Sequence, residues 1–242
     1  MKKLYCLLLV AVLVLTAACA AMAEDSKPGP EIYVDYGLGG TDDLSQSSSR
    51  TAEYKKTGFG QMVIGAEYPL SRWNFGVEYA WANDYQLEDL NSSDLKGDSS
   101  LLLLKAGYQV LNVKQFQLYV NGVYAQNAYV MKNSSGEGSF DTKGLLIGPE
   151  VRYTINDKLN VRGFFGYGVH VAQTVTEGAS MDLDDESMTF LNVKLTYLFR
   201  DHWAVALGYR IEEIKSGLET GGSDTNFTYK QDMLTVGAAY QF

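Results

Sequence analysis

The sequence predicts an all-β chain: an antiparallel up-and-down transmembrane β-barrel of ten strands, with short turns at one end and five long connections at the other. Three observations carry this. Apolar residues recur at every second position, as in Trp73, Phe75, Val77, Tyr79 and Trp81 against Asn74, Gly76, Glu78, Ala80 and Ala82, which is the period of a strand with one greasy face. The connections alternate between tight and long, as in a membrane barrel of even strand number. Beyond residue 23 no segment has the run of about 18 apolar residues that a membrane helix needs; the longest purely aliphatic stretch is Leu101 to Leu104.

The first residues read as an address. Lys2 and Lys3 precede an apolar run over 4–15, and Ala21-Met22-Ala23 has the small-residue form of a cleavage site, so 1–23 is read as a secretory signal peptide and 24–242 as the barrel domain. Both cysteines, Cys6 and Cys19, fall in this leader, which leaves the mature chain without thiol or disulfide. Cys19 admits a rival reading as a lipoprotein cysteine, but Thr16 stands where such signals have Leu or Val. Removing the leader takes two lysines and no acid, leaving 18 basic and 29 acidic residues and a net charge of −11. That balance argues against a nucleic-acid partner, which needs a basic footprint, and favours solubility of whatever projects into water.

In chain order, the apolar parities run over 32–38, 62–68, 73–81, 102–110, 116–124, 145–155, 159–171, 191–199, 203–211 and 234–242. Pro149 lies inside the sixth; lacking an N–H, it predicts a bulge or weakened pairing there. Tight turns fall at 69–72, 111–114, 155–158 and 199–202, and their last residues, Arg72, Lys114, Lys158 and His202, are spaced by 42, 44 and 44. This regularity suggests five hairpin modules. The long connections, about 40–56, 84–99, 131–142, 175–188 and 214–226, are rich in Ser, Gly, Asn, Asp and Glu.

The outward parity is aromatic near both strand ends. Tyr68, Trp73, Tyr108, Phe116, Tyr153, Tyr197, Phe199, Trp203, Tyr240 and Phe242 stand toward the short turns, and Tyr36, Trp81, Tyr124, Tyr167 and Tyr209 toward the long connections. Such rings suit the headgroup level on either side of an apolar band. The final strand, Leu234-Thr235-Val236-Gly237-Ala238-Ala239-Tyr240-Gln241-Phe242, resembles the C-terminal strand of Gram-negative outer-membrane proteins. The mature chain as a whole resembles the small outer-membrane β-barrel superfamily that includes the transmembrane domain of outer membrane protein A. The resemblance implies an outer-membrane location with both termini periplasmic, contact with outer-membrane lipids and lipopolysaccharide, and recognition of Tyr240 and Phe242 by the barrel-assembly machinery. It carries no activity.

Parity also predicts a lumen charge network: the acids Asp35, Glu67, Glu78, Glu150 and Glu212 against the bases Lys105, Arg152, Arg162, Lys194 and Arg210. Charges in a narrow interior must be paired, and barrels near eight strands are filled by their own side chains. With Tyr33, Phe59, Tyr119, Tyr129, Phe164, Phe190 and Tyr229 on the same parity, the expected lumen is a salt-bridged plug, largely closed, with a narrow, gated pore in which the pairs exchange as its functional alternative.

Little else points to chemistry, and no catalytic, metal or cofactor constellation is read. His202 sits in a turn. His170 is placed inward by the strand's parity, roughly 28 Å above its turn on a strand tilted by about 45°, below Asp184, Asp185 and Glu186. A mouth histidine beside carboxylates is similar to the omptins, ten-stranded outer-membrane proteases, and on that resemblance His170 would be the base of a rim-sited hydrolase acting on peptides or lipid A. The omptin acid two residues before the histidine is here Gly168, and the serine that lipid A deacylases have two residues after it is Ala172. The acidic run 182–186 lacks calcium-loop spacing. The expected function is therefore non-enzymatic: a barrel displaying acidic surface connections for envelope integrity, surface contact or limited small-solute passage.

Overall fold

The computed structural model describes residues 29–47, 52–89, 95–133, 136–177, 179–182, 184–220 and 223–242. The leader expected at 1–23, with Cys19, lies outside them. The described strands are β1 (Glu31–Ser47), β2 (Ala52–Phe59), β3 (Met62–Leu70), β4 (Trp73–Asp89), β5 (Leu95–Val113), β6 (Phe116–Asn133), β7 (Gly136–Asn156), β8 (Leu159–Glu177), β9 (Ala179–Asp182), β10 (Asp184–Arg200), β11 (Trp203–Thr220) and β12 (Ser223–Gln241). They form one antiparallel sheet that closes where β12 pairs β1, from Glu31 opposite Gln241 onward. β2 and β3 lie end to end against β1, and β10 and β9 lie end to end against β8. The wall is thus a ten-strand barrel, and closure leaves no edge to template aggregation.

Two-residue turns join β3 to β4, β5 to β6, β7 to β8 and β10 to β11. Ser71 and Lys114 take positive φ of 56° and 52°, which lets a two-residue turn follow the right-handed strand twist. In the β7–β8 turn the Asn156 side-chain oxygen accepts from the backbone N–H groups of Lys158 and Leu159, both at 2.9 Å. At Pro149 the β7–β8 ladder passes from the Ile147–Tyr167 pair to the Glu150–Phe164 pair without a pairing between, the weakening its missing N–H dictates.

The outer surface shows how much of each strand meets lipid. On β6 the outward face is apolar from Phe116 to Tyr124 and then changes to Gln126; on β7 it is apolar from Tyr153 to Leu145 and then reaches exposed Lys143. On β11 Tyr209 gives way to Glu213, and on β12 Leu234 gives way to Asp232 and exposed Lys230. About nine residues per strand therefore lie in the band, which matches the length a tilted strand needs to cross a bilayer. Among the described residues no helix is long and apolar enough to cross a membrane.

The polar connections differ from the sequence reading in form. They are built largely as strand: β6 and β7 stay paired out to Asn133 and Gly136, and β11 and β12 out to Thr220 and Ser223. The physical reason is that the outward face turns polar beyond the lipid while the inward face stays apolar. Tyr129, Phe140 and Tyr229 are buried there, with ring centroids 6.3 Å apart for Tyr129 and Phe140 and 5.0 Å for Tyr129 and Tyr229. The long connections are thus a continuation of the barrel with a core of its own.

Two glycines test the tightness of the wall. A Cβ on Gly148 would overlap the backbone carbonyl of Phe165, whereas one on Gly122 would meet nothing within 4 Å. Gly148→Ala is expected to cost about 1–3 kcal/mol through forced backbone displacement, and Gly122→Ala is expected to be neutral or slightly stabilising. Urea unfolding in detergent, followed by heat-modifiable gel migration, checks both; equal midpoints for the two variants would contradict the packing described.

Candidate functional site

The barrel interior is the candidate site, and it is organised in two charged layers with an aromatic layer beyond. Alternation aims inward the side chains of Arg152, Arg162 and Lys194, which stand directly opposite one another across β7, β8 and β10. Like charges so placed repel. Relief comes from across the lumen, where β3 presents Glu67, and from Glu150 on β7.

In the layer nearer the short turns, Glu67 accepts from Lys105 at 2.5 Å and Arg152 at 3.0 Å and also contacts Arg162. Glu150, with a fully buried side chain, lies 2.6 Å from Arg152, 2.8 Å from Arg162 and 3.1 Å from Lys105. Each carboxylate therefore touches the same three cations. Asn74 Nδ2 adds a bond to Glu67 at 3.1 Å, and Asn121 Nδ2 one to Glu150 at 3.3 Å. Gly76, in register between Glu67 and Lys105, makes room: a Cβ there would come within 3.2 Å of Lys105 Cε.

In the next layer Lys194 binds Asp35 at 2.6 Å and lies 3.9 Å over the Tyr33 ring. Arg210 binds Glu78 at 2.8 Å and stacks 4.7 Å from the Phe190 ring centroid. The Tyr33 hydroxyl donates to Glu78 at 2.7 Å, and Asn127 Nδ2 donates to Glu212 at 2.7 Å. With two acids and three bases below, and three acids and two bases here, each layer carries one unit of opposite net charge. A cavity of about 60 Å³ between them is lined by Tyr33, Glu67, Glu78, Lys105, Arg162 and Lys194 among others. Its charged groups share the lining with Leu103, Val123, Phe164 and Phe190, and it has room for a few waters, not for a continuous column.

Sequence parity named all ten charged residues; it could not say which acid meets which base. The asparagines at 74, 121 and 127 were missed because an inward amide is chemically unremarkable until a carboxylate is found beside it.

The placement of His170 is a correction. The β7–β8 register slips between Leu145 and Leu146, so that Leu145 faces His170 and Leu146 faces Gly168. This β-bulge reverses the parity beyond it: Val171 is buried, and His170 is exposed on the outer face beside the lipid band, sharing a side with exposed Leu145. Period-two counting carried it inward because a bulge leaves no mark in the residue types. The side chains at 182–185 and that of Phe59 lie outside the described residues. Among the described residues no group of three or more His, Cys, Asp or Glu could hold a metal ion.

A closed antiparallel wall, an apolar outer band and a charge-compensated interior define a membrane-spanning β-barrel protein. The chain matches the family model of the outer membrane protein beta-barrel domain over residues 8–190 and again over 151–242. It belongs to that family, and its location is the outer membrane. No curated protein matches the chain. Among solved structures it is similar to the outer membrane protease OmpT from Escherichia coli, with a TM-score of 0.66 and 12% identity over 90% of this chain and 99% of that one. It is also similar to the translocator domain of the autotransporter NalP from Neisseria meningitidis, at TM-score 0.45 and 11% identity over 100% and 98% of the two chains. Neisserial surface protein A follows at TM-score 0.39 and 12% identity over 87% and 97%. At 12% identity the likeness to OmpT is one of fold.

Glu150→Gln leaves three partly exposed cations facing one remaining carboxylate, around a side chain that is itself fully buried. The expected loss is about 3–5 kcal/mol, less if water enters the lumen. Asn121→Ala, which removes one neutral donor, is expected to cost about 1–3 kcal/mol. Denaturant midpoints in detergent rank the two; the reverse order would refute the central place given to Glu150.

Proposed function

We propose that this protein is a non-enzymatic outer-membrane barrel with a closed lumen. Its wall carries a rigid acidic crown beyond the lipid, for surface contact and envelope integrity. The observation that supports this best is closure in series: ion pairs fill the bore at the level of the lipid band, and aromatic packing of Tyr129, Phe140, Tyr229 and Phe227 fills it beyond. Solute passage is limited to what few waters can carry. The short-turn end, with both termini, faces the periplasm in this reading, and the crown faces outward among lipopolysaccharide. Tyr240 and Phe242, whose rings lie 5.0 Å apart at the β12–β1 seam, act as the signal read by the barrel-assembly machinery.

A hydrolase at the rim would need His170 to share a pocket with a carboxylate. Its exposed position on the outer face supports a solvated or headgroup-facing residue instead.

Planar-bilayer recording tests the closed lumen. The unmodified protein is expected to show only small or rare openings, and Arg152→Ala is expected to raise conductance little, because the aromatic layer still blocks the path. Combining Arg152→Ala with Phe140→Ala should open a steady current. A large steady conductance from the unmodified protein would overturn the reading. So would proteolytic clipping of the turns at 71–72 or 157–158 in intact cells, which would place the short-turn end outside.

A further inference from the structure

We infer that the lipid-facing wall over β1, β3, β4 and β5 holds a specific glycerophospholipid site. One acyl chain lies in a groove in the wall, and the phosphate is held at Arg72. The belt is not uniformly convex. In the row Ile32, Ala66, Val77 and Leu104, which are in register across these four strands, the small Ala66 side chain leaves a dent between larger neighbours. Tyr68 and Phe75, paired in the next row toward the turns, form its lower wall, and Phe242 closes one side. The resulting groove has a volume of about 280 Å³, enough for a good part of one acyl chain. Ile32, Ala66, Tyr68 and Val77 are each only partly exposed, although they face outward, as expected for the walls of a concavity.

The groove lies inside the apolar band, so hydrocarbon is the medium it meets; its position along the hairpin selects the headgroup. From the Ala66–Val77 row, the β3–β4 hairpin runs through the Tyr68–Phe75 row to the Leu70–Trp73 row and the turn carrying Arg72. That is four residues along the strand, about 13 Å, and less in depth because the strands tilt. It is the span from the upper methylenes of an ester-linked chain to its phosphate. Arg72 Nη1 donates to the Tyr108 hydroxyl at 3.5 Å, and Tyr108 packs edge-on against Trp73 at 5.0 Å, which stacks on Phe75 at 6.2 Å. This aromatic chain links Phe75, in the lower wall of the groove, to the exposed guanidinium on the β5 side of the hairpin, whose planar fork matches a phosphate.

The test uses folded full-length protein, delipidated in detergent and titrated with phosphatidylglycerol, with retained lipid counted by native mass spectrometry. One phosphatidylglycerol is expected to be retained. Ala66→Phe, which fills the dent, should lower retention about tenfold, and Arg72→Gln about threefold. Val193→Phe, on the exposed face of β10 away from the groove, should leave it unchanged. Ala66→Leu, checked for the heat-modifiable gel shift, substitutes if Ala66→Phe does not fold. Equal losses in the Ala66 and Val193 variants would show ordinary annular lipid and overturn the site. Unchanged retention in Arg72→Gln, or retention of lipid A in preference to phosphatidylglycerol, would overturn the phospholipid assignment.

Discussion

The structure depends on one electrostatic constraint: three cations set side by side on the inner wall must be neutralised from elsewhere. Arg152, Arg162 and Lys194 occupy neighbouring positions on β7, β8 and β10, an arrangement that would splay the sheet in isolation. Glu67 reaches two of them from the far wall, Asp35 reaches the third, and Glu150 sits beside the first two. Strands far apart in sequence are thereby tied through the bore. The strand number sets the diameter, and the tie is possible only at that width, because a wider barrel would draw the carboxylates out of reach and leave charges buried without partners. Narrowness is thus a condition for the interior to exist, and the near absence of open space in it follows.

The same constraint explains why the interior changes character along the axis. Within the band the outside must be apolar, so the bore can hold polar groups only where each finds a partner. Beyond the band the outside is wetted, and the bore can hold what an ordinary soluble core holds. Tyr129, Phe140, Tyr229, Met188 and Ile214 are buried there, under outward Lys143, Lys215 and Lys230. The barrel inverts once along its axis, from membrane to water, and strands such as β6 and β7 run through the change unbroken. Family membership and the fold likeness to OmpT fit either a catalytic or a passive barrel.

Much of this was legible in the residues. Alternation located every membrane crossing, the four tight turns fell within a residue or two of their observed places, and the inward charges could be named individually. Three things were not. The partners of those charges depend on which strands face each other across the lumen, and no local pattern encodes that. The polar connections read as loops because their outward residues are hydrophilic and their inward apolar residues are spaced among serines and glycines, as around Phe140 in Gly138-Ser139-Phe140-Asp141. His170 was misplaced because one extra residue in β8 reverses every later side chain, and nothing in Tyr167-Gly168-Val169-His170 announces it.

The crown's being sheet constrains how it can vary between related chains. A loose loop tolerates insertion of any length, whereas in a paired strand a single added residue exchanges the inner and outer faces of everything between it and the next turn. In β6 and β7, paired without a slip from Phe116–Tyr153 to Asn133–Gly136, such a change would put Tyr129 and Phe140 into water and their polar neighbours into the core. Length variation on this surface should therefore come in twos, shared by both strands of a hairpin, or be confined to the tips. Point changes on the outward face are free to accumulate, and the surface can diversify in chemistry while its shape stays the same.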